Sequence, residues 1–329
     1  MLNAAIIGLG RWGRILVDAV QTEGTPRGGA LRVSTLVTRT VSDEVKAYAA
    51  RQKLRLATLD EALADRTLGA ILLATPHSQH GAQILAGARA GKHVFCEKPV
   101  TLTRAEIDAG IEACRRAGVV LAAGFNRRFM PAGRALRAAA RDGRLGQILH
   151  LEGHASSPSG FGFAPGSWRL SGTESPAGSM GAMGIHMIDQ LIWINGPISA
   201  VACQSLRQAL TVPLDDTTSM LLRFRNGSTA TFSTLAATAR CWQLRVLGTK
   251  GWAQLRDDTR VETVPLQGAP TSEGFEPADL ERAELEAFAA ACAGTAAYPV
   301  PLDEVANGVS TWEAIARSAA RDGAWTVVA

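Results

Sequence analysis

Three short segments carry residue types whose spacing could do chemistry. The first is Gly8-Leu9-Gly10-Arg11-Trp12-Gly13, a GxGxxG pattern. In such a loop the first glycine allows a tight turn, the second lets a pyrophosphate approach the backbone, and the third lets a helix pack close to its strand. The helix then points free N–H groups at the phosphates. Gly8, Gly10 and Gly13 form the cradle, with Arg11 and Trp12 inside the loop, and the chemistry implied is dinucleotide binding. The second segment is Glu97-Lys98-Pro99. A lysine at the carboxyl end of a parallel strand stands where such folds bind their ligands. Its ammonium can hydrogen-bond a substrate oxygen and stabilise charge during hydride transfer, and Pro99 would fix the turn, through a cis bond if the amide adopts one. The third is Gly184-Ile185-His186-Met187-Ile188-Asp189, in which His186 and Asp189 share a helix face. A neutral histidine can take an alcohol proton as hydride leaves and return it in reduction. Asp189 would contact substrate or orient His186. Read singly, these are a Gly-rich turn, a polar turn and a core histidine; their company favours a site.

A fourth position bears on the cofactor. An NAD site places Asp or Glu at the end of the second strand, for the ribose hydroxyls. Here Thr38-Arg39-Thr40 stand there, with no carboxylate. Arg39 can pair with a 2′-phosphate, with Thr38 beside it as a donor, which favours NADP and leaves NAD open.

These residues need a scaffold. Apolar runs at 4–7, 31–37, 69–74, 93–96 and 119–123 read as strands, and the segments between them as helices. Continuous apolar strands separated by helices imply a doubly wound parallel sheet. The expected fold class is therefore α/β, with an N-terminal Rossmann domain over residues 1–123. Residues 124–329 read as an α+β domain for substrate binding and oligomerisation. It has helices at 132–141 and 184–193, a Gly/Ser/Pro-rich loop at 156–181, several strands between 148 and 255, and closing helices at 276–293 and 302–321. Asn226-Gly227 signals a hairpin, so this sheet is expected to be open and largely antiparallel.

Composition narrows the classes. The chain has 329 residues, 47% of them hydrophobic, enough for two cores. Its 34 basic and 30 acidic residues are interspersed, without the basic stripe of a nucleic-acid binder. Cys96, Cys114, Cys203, Cys241 and Cys292 are widely spaced and lack a CxxC pair, so neither a disulfide framework nor a zinc site is expected. No stretch has the length of a membrane span and residues 2–9 lack signal-peptide features, so a cytoplasmic protein is expected. Thr75, Pro76 and His80, in the loop after the strand at 69–74, are expected to line the cofactor pocket with Glu97. His150, Glu152 and His154 alternate on one strand face; a polar sheet face or subunit interface is favoured there over metal.

Together these motifs resemble the Gfo/Idh/MocA family (glucose–fructose oxidoreductase, inositol dehydrogenase, rhizopine catabolism) over nearly the whole chain. The resemblance runs through AIIGLGRWG, ATPHSQH (74–80), GKHVFCEKP (91–99), GFNRRFMP (124–131), Gly166-Ser167-Trp168-Arg169, GIHMID, RFRNGSTATF (223–232) and LGTKG (247–251). It implies a nicotinamide-dependent enzyme that oxidises or reduces sugars, polyols and related hydroxy compounds, and a homodimer or homotetramer formed through the C-terminal sheet. It implies Lys98 as the active-site lysine, His186 as the acid/base, and Arg128, Trp168 and Arg169 on the substrate side. One departure stands out. The family pattern carries an aspartate four residues before the histidine, where this chain has Ala182. Three alternatives follow: reduction of an activated carbonyl or imine, a substitute group such as Asp189, or a non-catalytic NADP(H)-binding sensor or partner protein.

Overall fold

The structure, a computed structural model, describes residues 1–329 apart from the side chain at position 179. In chain order the elements are β1 (Leu2–Ile7), α1 (Arg11–Val20), β2 (Gln21–Thr22), β3 (Thr25–Pro26), β4 (Leu31–Val37), α2 (Asp43–Arg51), β5 (Arg55–Ala57), α3 (Leu59–Ala64), β6 (Ala70–Leu73), α4 (His80–Arg89), β7 (His93–Glu97), α5 (Arg104–Ala117) and β8 (Leu121–Gly124). There follow α6 (Pro131–Arg141), β9 (Ile148–Ser156), α7 (Gly184–Asn195), β10 (Ile198–Leu206), β11 (Thr217–Phe224), β12 (Thr229–Leu235), β13 (Cys241–Gly248), β14 (Gly251–Asp257), β15 (Arg260–Pro265), β16 (Thr271–Gly274), α8 (Leu280–Cys292), α9 (Leu302–Ala319) and β17 (Thr326–Val327).

The first compact unit comprises Met1–Thr101, Ala105–Asn126 and Asp279–Leu302. Its six-stranded sheet has the order β5-β4-β1-β6-β7-β8 and every pairing is parallel. The strand order reverses between β1 and β6, which puts a ligand crevice at their carboxyl ends. β6 (Ala-Ile-Leu-Leu) is buried along its whole length, as a strand covered on both faces must be. Helix starts are written in the sequence: Ser42 caps α2 by accepting from the Val45 N–H at 3.3 Å, and Thr58 with Glu61 forms a capping box on α3.

The expected boundary at 123/124 is crossed once more by the chain, because α8 belongs to this first unit. Leu285, Phe288 and Ala289 share one core with Leu16, Leu36 and Phe95, and the Phe95 and Phe288 ring centroids lie 5.7 Å apart. An apolar helix face is buried wherever a matching core lies open, whatever its place in the sequence.

The second unit comprises Leu102–Arg104, Arg127–Ala278 and Asp303–Ala329. Its nine-stranded sheet runs β16-β15-β14-β13-β9-β12-β11-β10-β17, antiparallel except for the β9/β12 pair. Leu151 and Ala155 of β9 are buried on one face, where α7 packs so closely that a Cβ on Gly153 would stand 3.1 Å from Met187 Sδ. His150 and His154 lie on the other face, against Thr229 Oγ1 (2.8 Å) and Ser233 Oγ (2.9 Å). The loop expected at 156–181 contains three short 3₁₀ turns, at Ser159–Gly162, Trp168–Leu170 and Gly178–Gly181. Strands β15, β16 and β17 lie beyond the last strand expected from the sequence. Among the described residues no helix is long and apolar enough to cross a membrane.

Candidate functional site

In the first unit the glycine loop takes the form its spacing implies. Gly8 has φ +96°, a conformation L side chains rarely adopt, and a Cβ there would lie 2.7 Å from the Ala74 carbonyl oxygen. A Cβ on Gly13 would lie 2.1 Å from the Gly8 carbonyl oxygen. A Cβ on Gly10 would meet nothing within 4 Å. Two glycines are thus demanded by packing, and the third opens onto free space. α1 begins there with no side-chain cap and no acidic residue in its first turn, so its first N–H groups are left for an anion. The arrangement fits a dinucleotide pyrophosphate.

Around this cradle, Thr38 is half-buried and Arg39 and Thr40 are exposed just past β4; Thr38 Oγ1 lies 3.5 Å from the Thr40 carbonyl oxygen. Thr75 Oγ1 donates to Gln83 Oε1 at 2.7 Å, following the end of β6, with Pro76 next in the loop. His80 departs from expectation. It is fully buried, with Nδ1 3.0 Å from the Pro99 carbonyl oxygen and Nε2 3.1 Å from that of Thr75. It ties the loop after β6 to the loop after β7 from behind, so its ring braces the pocket rather than lining it.

Lys98 follows β7 directly and is half-buried, and the Lys98–Pro99 bond is cis. Beneath it Glu97 is 5% exposed, and the Lys98 backbone N–H donates to Glu97 Oε2 at 3.3 Å. Burial pushes the Glu97 carboxyl up to about 7, against the pull of the Lys98 ammonium; Glu281 raises it further. The Trp12 indole lies against the same carboxyl, short of a well-formed hydrogen bond but near enough to lower it. Two further acids complete the cluster, both missed in the sequence. Glu281 accepts from Asn126 Nδ2 at 2.9 Å. Glu284 is 0% exposed, and its carboxyl is pushed well above the carboxylate range by burial first, then by Glu97 and Glu281. The available signal was position: Glu284 falls between Leu280 and Phe288 at four-residue spacing, on the apolar stripe of α8.

In the second unit His186 is 6% exposed in the first turn of α7. Asp189, one turn on, is engaged by Arg128. Both Asp189 oxygens accept from Arg128: Nε reaches Oδ2 at 2.9 Å and Nη2 reaches Oδ1 at 2.7 Å. Arg128 Nη1 pairs with Glu304, and the Trp193 ring lies 5.6 Å from the Arg128 guanidinium carbon. Burial raises the Asp189 carboxyl while Arg128 pulls it back. Arg128 is 1% and Asp189 4% exposed. The expected substrate-side roles of this pair are replaced by a buried ionic core, because each charge is already consumed by the other. Trp168 and Arg169 are half-buried in a 3₁₀ turn, with the guanidinium carbon 4.2 Å from the ring centroid of its neighbour.

A parallel sheet with an open glycine cradle, a lysine at a strand end and a separate α+β unit define the class: a nucleotide-binding oxidoreductase. Residues 2–125 match the oxidoreductase family with an NAD-binding Rossmann fold, and residues 134–254 match the GFO/IDH/MocA C-terminal domain. A 1,5-anhydro-D-fructose reductase of Ensifer adhaerens is 28% identical over 311 residues, covering 87% of this chain and 89% of its own. An inositol 2-dehydrogenase of Rhizobium meliloti is 28% identical over 288 residues, covering 86% and 79%. Among solved structures, the aldose-aldose oxidoreductase of Caulobacter crescentus, complexed with glycerol, superposes with a TM-score of 0.85 at 26% identity, over 99% of each chain. The chain belongs to the Gfo/Idh/MocA oxidoreductase family.

Proposed function

We propose that this protein is an NADP-preferring dehydrogenase or reductase acting on a hydroxyl or carbonyl carbon of a sugar, polyol or related small molecule. The observation that carries the reading is Lys98, held at the carboxyl end of β7 over a buried acid, in the unit that bears the open glycine cradle. Gly8, Gly10, Arg11, Trp12 and Gly13 hold the pyrophosphate, Thr75 and Pro76 border the pocket, and Arg39 with Thr38 reads the 2′-phosphate. When bound, the nicotinamide supplies or takes up the hydride. Lys98 hydrogen-bonds the substrate oxygen and steadies its charge. His186 takes the hydroxyl proton in oxidation and returns it in reduction. Trp168 and Arg169 contribute to substrate binding. The relatives' names support the substrate class.

A second reading has one specific observation in its favour. With Ala182 at the family's aspartate position and both Asp189 oxygens on Arg128, α7 offers His186 no free carboxylate from either place. Reduction of an activated carbonyl or of a C=N bond asks for less proton management than alcohol oxidation, so such substrates belong in the screen. The protein is further proposed to act in the cytoplasm as a homodimer or homotetramer through the nine-stranded sheet, where Leu206 and Leu221 stand about half-exposed; sedimentation velocity tests this.

The first experiment titrates the protein with NADPH and NADH, following tryptophan quenching. NADPH should bind at least about tenfold tighter, and Arg39→Ala should abolish the difference without weakening NADH. Equal binding would remove the NADP preference, and binding of neither would end the oxidoreductase reading. Lys98→Ala and His186→Ala should then keep nucleotide affinity and lose turnover by roughly 10²–10⁴-fold. Wild-type turnover in both would sink the role assignment, and absence of turnover in the wild type across sugars, polyols and C=N compounds would favour the non-catalytic sensor.

A further inference from the structure

The segment that carries Trp168 and Arg169 is held by a small hydrophobic cluster of its own. Phe163 and Leu170 pack against Leu210, Leu214 and Ala236, the kind of satellite core that forms under a long loop. Leu170 closes the same 3₁₀ turn as Trp168 and Arg169, so the turn is anchored through its apolar member. Local bonds such as Leu170 N–H to the Ser167 carbonyl oxygen (3.0 Å) and Ser175 N–H to that of Ser171 (2.9 Å) shape the segment without tying it to the sheet. Two pins fix its ends. At the first, the Gly160 N–H donates to the Ala236 carbonyl oxygen at 2.8 Å, and a Cβ on Gly160 would stand 2.6 Å from Leu210 Cδ1. At the second, Thr218 Oγ1 donates to the Ala177 carbonyl oxygen at 3.0 Å, and Gly178, with φ +66°, lies so close that a Cβ would run into the Asp215 carbonyl oxygen. Leu210, Asp215 and Thr218 all belong to the stretch that runs from β10 into β11.

One side chain organises that stretch. Asp216 is 1% exposed. Its Oδ2 accepts the backbone N–H groups of Gln208 (3.0 Å), Ala209 (2.8 Å) and Leu210 (2.9 Å), and its Oδ1 accepts the Thr217 hydroxyl at 2.9 Å. Its backbone joins the same knot: the Asp216 N–H donates to the Leu206 carbonyl oxygen at 3.0 Å, and its carbonyl oxygen accepts the Ala236 N–H at 2.8 Å. The carboxylate thus folds the turn that presents Leu210 to Gly160, and the peptide group holds Ala236, the other half of the first pin. Burial works against the charge, but the N–H and hydroxyl donors outweigh it and hold the carboxyl below the usual range. Hydrogen bonds to an ionised acceptor are stronger than neutral ones. We propose that Asp216 is a positioning residue, which closes the 207–210 turn on the segment 160–178 and so fixes where Trp168 and Arg169 stand. Asp216 itself touches neither nucleotide nor substrate. The consequence for substrate binding rests on the role proposed for Trp168 and Arg169; the clasp does not.

The test is amide hydrogen exchange of the full chain, read by mass spectrometry, in wild type, Asp216→Ala, Asp216→Asn and Leu210→Ala. In Asp216→Ala, peptides from 160–178 should exchange at least about tenfold faster, while peptides from α7 and β9 keep their protection. Asp216→Asn keeps an uncharged acceptor for the three N–H groups and should restore part of the loss. Leu210→Ala leaves the carboxylate in place and removes the contact with Gly160, so it should loosen the same peptides; it also reads the clasp if Asp216→Ala fails to fold. With whichever sugar or polyol wild type turns over fastest, Asp216→Asn should raise KM by up to about tenfold, with kcat and NADPH affinity within about twofold of wild type. A general loosening of the fold would not divide the constants in that way. Unchanged exchange of 160–178 in Asp216→Ala and Leu210→Ala overturns the proposal, as does a loosening spread equally over α7 and β9. Wild-type KM in both Trp168→Ala and Arg169→Ala would refute their substrate role while leaving the exchange result intact, so the two failures are distinguishable.

Discussion

Asp189 and Glu284 are both buried carboxyls on helices, one in each unit, and the chain treats them in opposite ways. Asp189 is met by a bidentate guanidinium whose Nη1 goes to Glu304. Glu284 receives no hydrogen bond from any described residue. The first group is saturated by the fold itself. A paired acid of this kind defends a structure, because its charge is already met inside the core. The second is left unmet in the unit that also holds Lys98 and the open glycine loop. The contrast separates charges that belong to the core from charges that belong to a site, although both kinds look alike in a list of buried polar residues.

The largest effect expected from this contrast is on Arg128. Arg128→Met should lower the unfolding free energy by about 3–5 kcal/mol, because it strands buried Asp189 without a partner. The double variant Arg128→Met/Asp189→Leu should recover most of that loss, since it removes the deeply buried stranded acid and leaves only the more exposed Glu304 without its partner. Urea unfolding of the three proteins reads both numbers. A loss below about 1 kcal/mol in the single variant would show that Arg128 is not needed to neutralise the acid, and the contrast would collapse.

The next effect is on the pH dependence of stability. The Glu97 carboxyl titrates near 7 when folded, above its ordinary value of 4.5. Between those values the folded chain holds a proton that the unfolded chain has released. Its contribution is therefore complete below about pH 4.5 and is lost as pH rises towards 7, by about 3 kcal/mol. Glu284, raised by burial first, acts in the same direction. In Glu97→Gln the decline in urea midpoint between pH 5 and pH 7 should be shallower than in wild type. Parallel declines in the two proteins would mean that Glu97 is not the group holding the proton.

What the sequence made legible follows from the range over which each signal acts. The parallel sheet, the glycine loop and the Glu97-Lys98-Pro99 turn are local patterns, because strand, turn and helix start lie within a few residues of one another. The α+β character of the second unit was equally plain from alternation and the Asn226-Gly227 turn. The return of α8 to the first unit was not legible, because an amphipathic helix records that it needs a core and not which core. The Arg128–Asp189 pairing was hidden for a related reason: 61 residues separate the partners, and a charge in a motif reads as functional until its counter-ion is seen. Glu284 left a fainter trace, a glutamate on an apolar stripe, which in isolation passes for a helix-surface residue. His80 was assigned to the right loop with the wrong duty, because sequence places a residue near a pocket without saying which way its ring faces.

The smallest effect sharpens the same contrast within six residues. Gly10 and Gly13 look equivalent in the motif, yet only one is demanded by the fold. A methyl group on Gly13 would run into the Gly8 carbonyl oxygen, so Gly13→Ala should destabilise the protein and disturb the loop. Gly10 has φ −74° and ψ −170°, extended backbone open to any residue, and a Cβ there meets nothing within 4 Å. Gly10→Ala should therefore keep the protein folded and stabilise it by up to about 1 kcal/mol, through the reduced freedom of the unfolded chain. The same methyl would occupy the space where the pyrophosphate approaches the backbone, so nucleotide affinity should fall as stability rises. Thermal unfolding and the NADPH titration read the two effects on one sample. A Gly10→Ala protein that binds NADPH as wild type does would mean that the open space above Gly10 is not the phosphate site, and the cradle would have to be sought elsewhere along the carboxyl ends of β1 and β6.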